Sequence, residues 1–245
     1  MRGAGMKKFA PLALVLILGM LFAAACGGGS SKTTTSELRV VNAVYDSFFA
    51  GGGYDVLVDT SAFSTALAYK GASNYTSVAS GSHQVEVRNT GTTADLINQT
   101  ISVTGGSSYT YVIAGSGINP AGLLLTDTTT AATSGNIQFR IVNGNPNFGA
   151  MDVFFVAPGT DLFSVTANDA NLGPGATGGY HTVPAGTYAI YITQQGTKAP
   201  PYLYTGSIEL KSGAVTTFVI TGPSSSAIGT PLDFLQLTDV AASTK

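Results

Sequence analysis

The sequence is poor in the residues on which several classes of protein depend. It has no Trp, one Cys and two His among 245 residues, with only 11 Lys and Arg against 13 Asp and Glu. One Cys excludes a disulfide framework and a Cys-based zinc site, and two His point away from a metalloenzyme. The net charge of −2 is spread over scattered residues, so the chain lacks the basic surface that nucleic-acid binding requires. We therefore expect no nucleic-acid partner and no cofactor.

Residues 1–25 have the pattern of a secretory signal. Three basic residues precede an apolar run over residues 12–22, and small residues follow it. The run has about half of the ~20 residues that a membrane-spanning helix needs. We therefore expect a cleaved signal rather than a permanent span.

The single cysteine, Cys26, directly follows three alanines. This arrangement resembles the lipobox of bacterial lipoproteins, in which the Cys is acylated and becomes the new N-terminus. Residues 26–36 then form a Gly/Ser/Thr tether, and ten such residues span ~17 Å on average. We predict an acyl anchor at Cys26 and a lipid-anchored location in the bacterial envelope. The outer membrane or cell surface is favoured, because Gly27 replaces the Asp that retains such proteins at an inner membrane.

The rest of the chain consists of two copies of one sequence repeat. Insertions fall between the matching blocks, as expected if the blocks are strands and the gaps are loops. The matches are LRVVNA with FRIVNG, YDVLVD with MDVFFV, the blocks 75–92 with 180–197 and 101–115 with 208–222, and LTD at 125–127 and 237–239.

The matched blocks alternate apolar and polar residues with a period of two, which is typical of half-buried antiparallel strands. About seven short strands per 100 residues favour a β-sandwich. We predict an all-β fold of two tandem immunoglobulin-like antiparallel β-sandwiches. The stretch 63–69 fits either one helical turn or a short edge segment. The predicted boundaries are repeat 1 at 37–127, a linker at 128–135 and repeat 2 at 136–240.

The order of motifs is similar to that of a bacterial family. RVVNA, then DV-x-VD, then Y-xx-V-xx-G-xxx-V-x-V, then G-xx-YT-x-V-xx-G resembles the domain of unknown function 4397. Two tandem copies would cover most of the mature chain. The resemblance implies the fold of each copy, and its motifs are hydrophobic and turn positions that carry no chemistry.

Two charged residues recur in both copies on the first and second strands: Arg39 with Asp55, and Arg140 with Asp152. They could contact a ligand, or they could form cross-strand ion pairs that fix the strand register. We favour the structural interpretation and expect Arg39 to meet Asp55 and Arg140 to meet Asp152.

The remaining candidates for chemistry are isolated. His83 lies on the inward face of a strand and is expected to pack in the core, and His181 is expected in a surface turn. No G-x-S-x-G elbow supplies a nucleophile. Asp161, Asp169 and Asn171 could line a calcium site, but loop capping is favoured because the spacing of an EF-hand is absent.

Four aromatic residues remain for contacts with other molecules. Phe48 and Phe49 in the first copy, and Phe148 in the second, could touch a partner or plug the end of a sandwich. Tyr191 takes the outward position of Glu86 and could stack on a sugar.

These features predict a non-enzymatic protein. We expect a surface binding or spacing module held to the membrane by its acyl anchor. The alternative is a carbohydrate- or peptidoglycan-associated binding protein that uses an outward face or the crevice between the domains. A glycan or a protein would be its ligand. An enzyme of unrecognised type is the third hypothesis.

Overall fold

A computed structural model describes residues 34–44, 52–117, 119–145, 148–222 and 232–241. The described residues form seventeen β-strands and one short 3₁₀ helix at Leu162–Ser164. No helix within these ranges is long and apolar enough to cross a membrane. Residues 33–245 form a single compact unit.

The first copy contains eight strands, which form where the sequence alternates. On one of them, His83, Val85 and Val87 face inward and are buried, as the period of two predicts. The strands are β1 (Thr35–Asn42), β2 (Tyr54–Val58), β3 (Ser61–Leu67), β4 (Thr76–Ala79), β5 (Gly81–Asn89), β6 (Asp95–Val103), β7 (Ser108–Ser116) and β8 (Asn119–Asp127).

These strands make two sheets. The inner sheet has the order β4-β1-β7-β8, and the outer sheet has the order β3-β2-β5-β6. The stretch 63–69, open between a helical turn and an edge segment, contributes to the edge strand β3. Fifteen buried residues between the two sheets, including Leu38, Val56 and Tyr111, form the first core.

The second copy repeats this plan with nine strands. Its inner sheet has the order β12-β9-β16-β17; its outer sheet has the order β11-β10-β13-β14, and β15 also pairs with β13. The strands are β9 (Asn136–Asn143), β10 (Met151–Val156), β11 (Asp169–Leu172), β12 (His181–Pro184), β13 (Gly186–Gln194), β14 (Leu203–Tyr204), β15 (Ile208–Leu210), β16 (Val215–Thr221) and β17 (Asp233–Val240). A second core, which includes Phe139, Phe155 and Phe218, fills the space between its sheets.

The all-β prediction with two sandwiches is confirmed, and the strand order refines it. In each copy one pairing is parallel, between β1 and β7 and between β9 and β16. The first two strands of each copy also lie in different sheets, whereas the first two strands of an immunoglobulin sandwich share one. Alternation in the sequence predicts strands and faces, but it does not fix which strands become neighbours.

A third apolar cluster joins the two sandwiches. Val41, Val112 and Leu125 of the first inner sheet pack with Val142, Val219 and Leu237 of the second. Strands β1, β7, β9 and β16 are therefore buried on both faces, once against their own outer sheet and once against the other sandwich. The structure thus has four sheet layers, with both inner sheets in the middle.

Candidate functional site

The charged residues shared by both copies meet at the contact between the inner sheets. Arg39 on β1 of the first sandwich forms an ion pair with Asp239 on β17 of the second. Arg140 on β9 of the second sandwich forms an ion pair with Asp127 on β8 of the first. The pairing is reciprocal, because the arginine of each sandwich pairs with an aspartate on the last strand of the other.

Each guanidinium is held by more than one acceptor. In Arg39, Nη1 donates to the carbonyl of Thr238 at 2.9 Å, and Nε donates to Oγ1 of Thr110 at 2.7 Å. The Thr110 hydroxyl in turn donates to Oδ2 of Asp127 at 2.6 Å. The threonine therefore links the arginine of its own sandwich to the carboxylate that binds the other arginine.

The second half of the network has the same pattern of hydrogen bonds. In Arg140, Nη1 donates to the carbonyl of Thr126 at 2.8 Å, and Nε donates to Thr217 at 2.7 Å. Thr217 donates to Oδ2 of Asp239 at 2.6 Å. The hydrogen bonds close a circle, which we call the buried ring; its members are Arg39, Thr110, Asp127, Arg140, Thr217 and Asp239.

One tyrosine covers each half of the buried ring. Tyr75 donates to Asp127 at 2.7 Å and lies against the Arg39 guanidinium, 4.6 Å from it. Tyr180 donates to Asp239 at 2.9 Å and lies 4.7 Å from the Arg140 guanidinium. Burial, and then the neighbouring carboxylate, raises the pKa of each tyrosine well above its usual range, so both hydroxyls remain donors.

The buried ring has the features that make a buried ion pair costly to disrupt. Both arginines are nearly inaccessible, and the carboxylates of Asp127 and Asp239 are almost fully buried. Each carboxylate accepts hydrogen bonds on both oxygens, which offsets its loss of water. Removing one member would leave a charge buried without its partner.

The predicted pairs Arg39–Asp55 and Arg140–Asp152 are therefore wrong. Asp55 lies on the outer sheet and accepts hydrogen bonds from the backbone N–H groups of Ala66 (2.9 Å) and Gly91 (3.0 Å). These bonds, that of Ala66 first, hold the pKa of Asp55 below its usual value.

Asp152 has the same role in the second copy. It accepts from the backbone N–H groups of Asn171 and Gly196, both at 2.8 Å. The two repeated aspartates of the outer sheets therefore fix loops. The arginines point away from them, because the side chains on the outward face of the inner sheet are directed at the other sandwich.

Sequence reasoning noted Asp127 and Asp239 only as the ends of the repeated LTD motif. The signal that could have found their role is the apolar pairs Val40–Val41 and Val112–Ile113. Adjacent apolar residues in a strand indicate burial on both faces. A second buried face required a partner sheet, and the charged residues on that face required partners there.

The first copy also contains a His–Asp pair in a cleft of about 300 Å³ between β3 and β4. Nδ1 of His83 lies 2.6 Å from Oδ2 of Asp59, and Nε2 lies 2.7 Å from the carbonyl of Ala79. Both neighbours accept hydrogen bonds, so the ring makes both bonds in its doubly protonated form. The bond with Asp59 raises the pKa of His83, although burial opposes it. His83 therefore has no free nitrogen to act as a base.

The second copy replaces this pair. Tyr188 occupies the position of His83, and its hydroxyl donates to the carbonyl of Pro184 at 2.7 Å. The residue four positions earlier is thus the acceptor in both copies. Val156 stands where the first copy has Asp59. A tyrosine that needs one acceptor replaces a histidine that needs two, and the carboxylate is absent with it.

The second histidine is not in a turn, contrary to the prediction. His181 lies on β12, its Nε2 is 2.9 Å from Oδ1 of Asp169, and its ring stacks on Phe139 at 5.1 Å. Asp161 caps the 3₁₀ helix by accepting from the N–H of Phe163. Among the described residues, no group of three or more His, Cys, Asp and Glu could hold a metal ion.

The aromatic candidates divide between core and surface. Phe148 packs against the second core, as expected of a plug. Tyr191 lies on the outer sheet and stacks on Tyr204, with ring centroids 4.8 Å apart and an angle of 25° between the planes. Cys26, Phe48 and Phe49 lie outside the described residues.

Several solved structures share features with this chain at low similarity. The Bacillus anthracis TIE protein is 10% identical over 77% of this chain, with a TM-score of 0.26, and this chain spans 34% of its length. A family 41 carbohydrate-binding module from streptococcal virulence factors is 13% identical over 75% of this chain and 93% of its own, with a TM-score of 0.25. A family CBM26 module from Eubacterium rectale Amy13K is 12% identical over 84% and 97%, with a TM-score of 0.25. These scores do not establish a shared fold, so the ligands of those proteins do not bear on this one.

Sequence comparison gives a more specific result. No curated protein matches the chain. Residues 36–154, from β1 of the first sandwich into β10 of the second, match the family described as Domain of unknown function (DUF4397), and this match supports the family resemblance of the repeated motifs.

Proposed function

We propose that this chain is an exported lipoprotein of the bacterial envelope in which two sandwiches act as one rigid, non-enzymatic module for binding or spacing. Acylation at Cys26 anchors it, and the tether over residues 26–36 separates the folded body from the lipid surface. Both copies belong to the family whose profile residues 36–154 match. The outer membrane or cell surface is the favoured location.

The observation that carries the rigid-module proposal is the two reciprocal ion pairs of the buried ring. The only basic residues that recur in both copies, Arg39 and Arg140, are committed to the contact between the sandwiches. The apolar cluster around Val112 and Val219 surrounds this contact. The arginines that both copies share therefore serve assembly, which suits a body that holds a fixed length between its ends.

Metabolic labelling tests the anchor. Cells expressing the wild-type chain are fed an alkyne fatty acid, and the chain is compared with Cys26→Ala. We expect label on the wild type and none on the variant, because no other Cys can accept the acyl group. Equal labelling of both chains would refute acylation at Cys26.

Spin-label distances test rigidity. Nitroxides attached to cysteines at Ser102 and Glu209, in a Cys26→Ser background, report the separation of the outer sheets. We expect one narrow distance distribution, which broadens in Asp239→Ala because Arg39 loses its partner. Asp95→Asn, which removes an outer-sheet charge, is the matched control and should leave the distribution narrow. A broad distribution in the unmodified body would refute the rigid module.

The alternative function is glycan binding, and one observation favours it. The exposed Tyr191–Tyr204 pair lies on an outer sheet, where the copies differ. The crevice between the sandwiches is not an equivalent candidate, because packed side chains fill it.

A further inference from the structure

The outer sheet of the second sandwich carries a row of three aromatic side chains. Phe154 on β10 lies opposite Tyr191 on β13, and Tyr191 lies opposite Tyr204 on β14. Phe154 is buried, Tyr191 is half-buried and Tyr204 is 50% exposed. The row therefore runs from the covered middle of the sheet to an open edge.

Tyr204 presents one ring face to solvent. Strand β14 is the last strand on its side of the sheet, so no further strand covers the side of Tyr204 away from Tyr191. The stacked ring of Tyr191, 4.8 Å away, supports the opposite side. A ring held in place before binding loses little conformational freedom when a ligand stacks on it.

Polar groups also remain available beside this ring. Neither tyrosine hydroxyl makes a hydrogen bond with another of the described residues. An edge strand further offers backbone N–H and C=O groups on its outer side. An aromatic face beside free donors and acceptors suits a ligand with one apolar face and a rim of hydroxyl groups.

The charged side chains near the aromatic row already have partners within the protein or lie far from it. Lys198 lies over Phe154, and its Nζ donates to the carbonyl of Val165 at 2.5 Å. Asp152 accepts two backbone N–H groups. Glu209 lies opposite a residue four positions along β13 from Tyr191, or ~13 Å away. Among the residues that the structure describes, the exposed tyrosine therefore faces neither a free cation nor a nearby free carboxylate, which favours an uncharged ligand.

The first sandwich shows that the fold does not require this row. Its counterparts are Leu57, Glu86 and Asn98, which lie side by side on β2, β5 and β6. Glu86 accepts from Arg88 at 2.6 Å, and Asn98 donates to Asp95 at 3.0 Å. The positions of Tyr191 and Tyr204 thus belong to a polar network in the first copy and to an aromatic row in the second.

We propose that the solvent-facing ring of Tyr204, supported by Tyr191, is a stacking site for a pyranose unit of an uncharged polysaccharide. This inference rests on the proposed role as a binding module of the envelope. The sugar's C–H face lies on the tyrosine ring, and its hydroxyls bond to the tyrosine hydroxyls and the edge of β14.

Affinity electrophoresis of the full-length chain in detergent tests this site. Native gels contain dextran, glycogen or hydroxyethylcellulose as uncharged probes, and alginate, chitosan or purified peptidoglycan as charged ones. We expect at least one uncharged polysaccharide to retard the wild type. Tyr204→Ala should weaken that binding about tenfold, Tyr191→Ala should weaken it less, and Tyr204→Phe should keep it within about threefold.

Asn98→Ala, at the matching position of the first sandwich, is the control and should bind as the wild type does. Unchanged urea midpoints would show that the variants remain folded. The proposal is overturned if no uncharged polysaccharide retards the wild type, if only charged probes do, or if Tyr204→Ala binds normally. Labelling at Cys26 and the spin-label distances are separate measurements, so failure here would leave the anchor and the rigid body standing.

Discussion

The inner and outer sheets of this protein have opposite relations to the repeat. On the inner sheets, both copies place the same residue types in the same network, and each copy completes the other. On the outer sheets, Asp55 and Asp152 recur and fix loops, but several other matching positions differ in chemistry. The shared positions are Arg39 with Arg140, Thr110 with Thr217, Asp127 with Asp239 and Tyr75 with Tyr180; the differing ones are Glu86 with Tyr191, Asn98 with Tyr204, and His83 with Tyr188.

This difference separates assembly from specialisation within one chain. A residue that both copies need for their mutual contact cannot change alone, because its partner lies in the other copy. An outer-sheet residue has no such partner and is free to differ. Agreement between the copies on the inner sheets therefore indicates assembly, and difference on the outer sheets indicates what is specific to each sandwich.

The largest expected effect on stability comes from removing a carboxylate of the buried ring. Asp127→Ala and Asp239→Ala should each lower the free energy of unfolding by about 3–5 kcal/mol, because each leaves a buried guanidinium without its carboxylate. Urea unfolding of both variants measures this. Similar losses would support equal halves, whereas one loss several times the other would show that the halves of the buried ring are not equivalent.

A paired replacement sharpens this result. Arg140→Met combined with Asp127→Leu removes both charges together, so it should recover much of the stability lost in Asp127→Ala. The combined Asp127→Ala and Asp239→Ala variant should lose less than the sum of the single losses, because the residues share one network.

The repeated aspartates of the outer sheets should have a smaller, unequal effect. Asp152→Ala leaves two backbone N–H groups without an acceptor and should cost about 2 kcal/mol. Asp55→Ala should cost about 1 kcal/mol, because Asp55 is more exposed and water can replace the lost acceptor. Thermal unfolding of the two variants under the same conditions measures the difference, and a larger loss for Asp55→Ala would contradict it.

The His83–Asp59 pair should make the stability of the first sandwich depend on pH. The pKa of His83 is raised, so its stabilising contribution is complete below the unfolded pKa of about 6.5 and is lost as pH rises through the folded pKa. The pKa of Asp59 is lowered, chiefly by the N–H of Gln84, so its contribution is lost only in acid. The pair therefore contributes most between about pH 4 and 6.5.

The matched variant combines His83→Tyr, which introduces the tyrosine of the second copy, with Asp59→Ala, which removes the carboxylate. Unfolding free energies between pH 5.5 and 8.5 should fall by about 1 kcal/mol in the wild type, since Asp59 is half exposed and water screens the pair. The variant should be flat over this range. An equal slope in both proteins would assign the pH dependence to another group.

The smallest effect is expected at the surface network of the first outer sheet. Arg88 pairs with Glu86 and Asp95 at 2.6 Å; the Glu86 side chain is largely buried, whereas those of Arg88 and Asp95 keep about a quarter of their surface in contact with solvent. Exposed ion pairs contribute little and are screened by salt. Arg88→Gln should leave the thermal midpoint unchanged in high salt, and a large shift there would show that the network orders the sheet.

Much of the fold could be predicted from the sequence because a period of two is a local property. The inward faces of β5 and β7, the two copies and the all-β class all follow from it. Strand neighbours could not be predicted in the same way, because parallel pairing of β1 with β7 joins residues that are about 70 positions apart, as Arg39 and Thr110 are.

The candidate pairs show where local reasoning ends. Each copy has one repeated basic residue and two repeated aspartates, so the two copies offered each arginine four possible partners. The nearest one in the chain, Asp55 for Arg39, was chosen and was wrong. Only the contact of the inner sheets, which depends on the whole fold, places Asp239 beside Arg39. The position of Tyr204 beside Tyr191 could not be predicted either, because β14 has only two residues and shows no alternation in the sequence.

The reciprocal pairing also has a consequence for the order of events in synthesis. Arg39 is translated 200 residues before Asp239, its carboxylate partner. The first half can collapse early around its own apolar interior, yet it carries an uncompensated cation until β17 is synthesised. Synthesis of β17 is thus the step that neutralises the middle of the molecule, and a chain that stops before it would be marked by that exposed positive site.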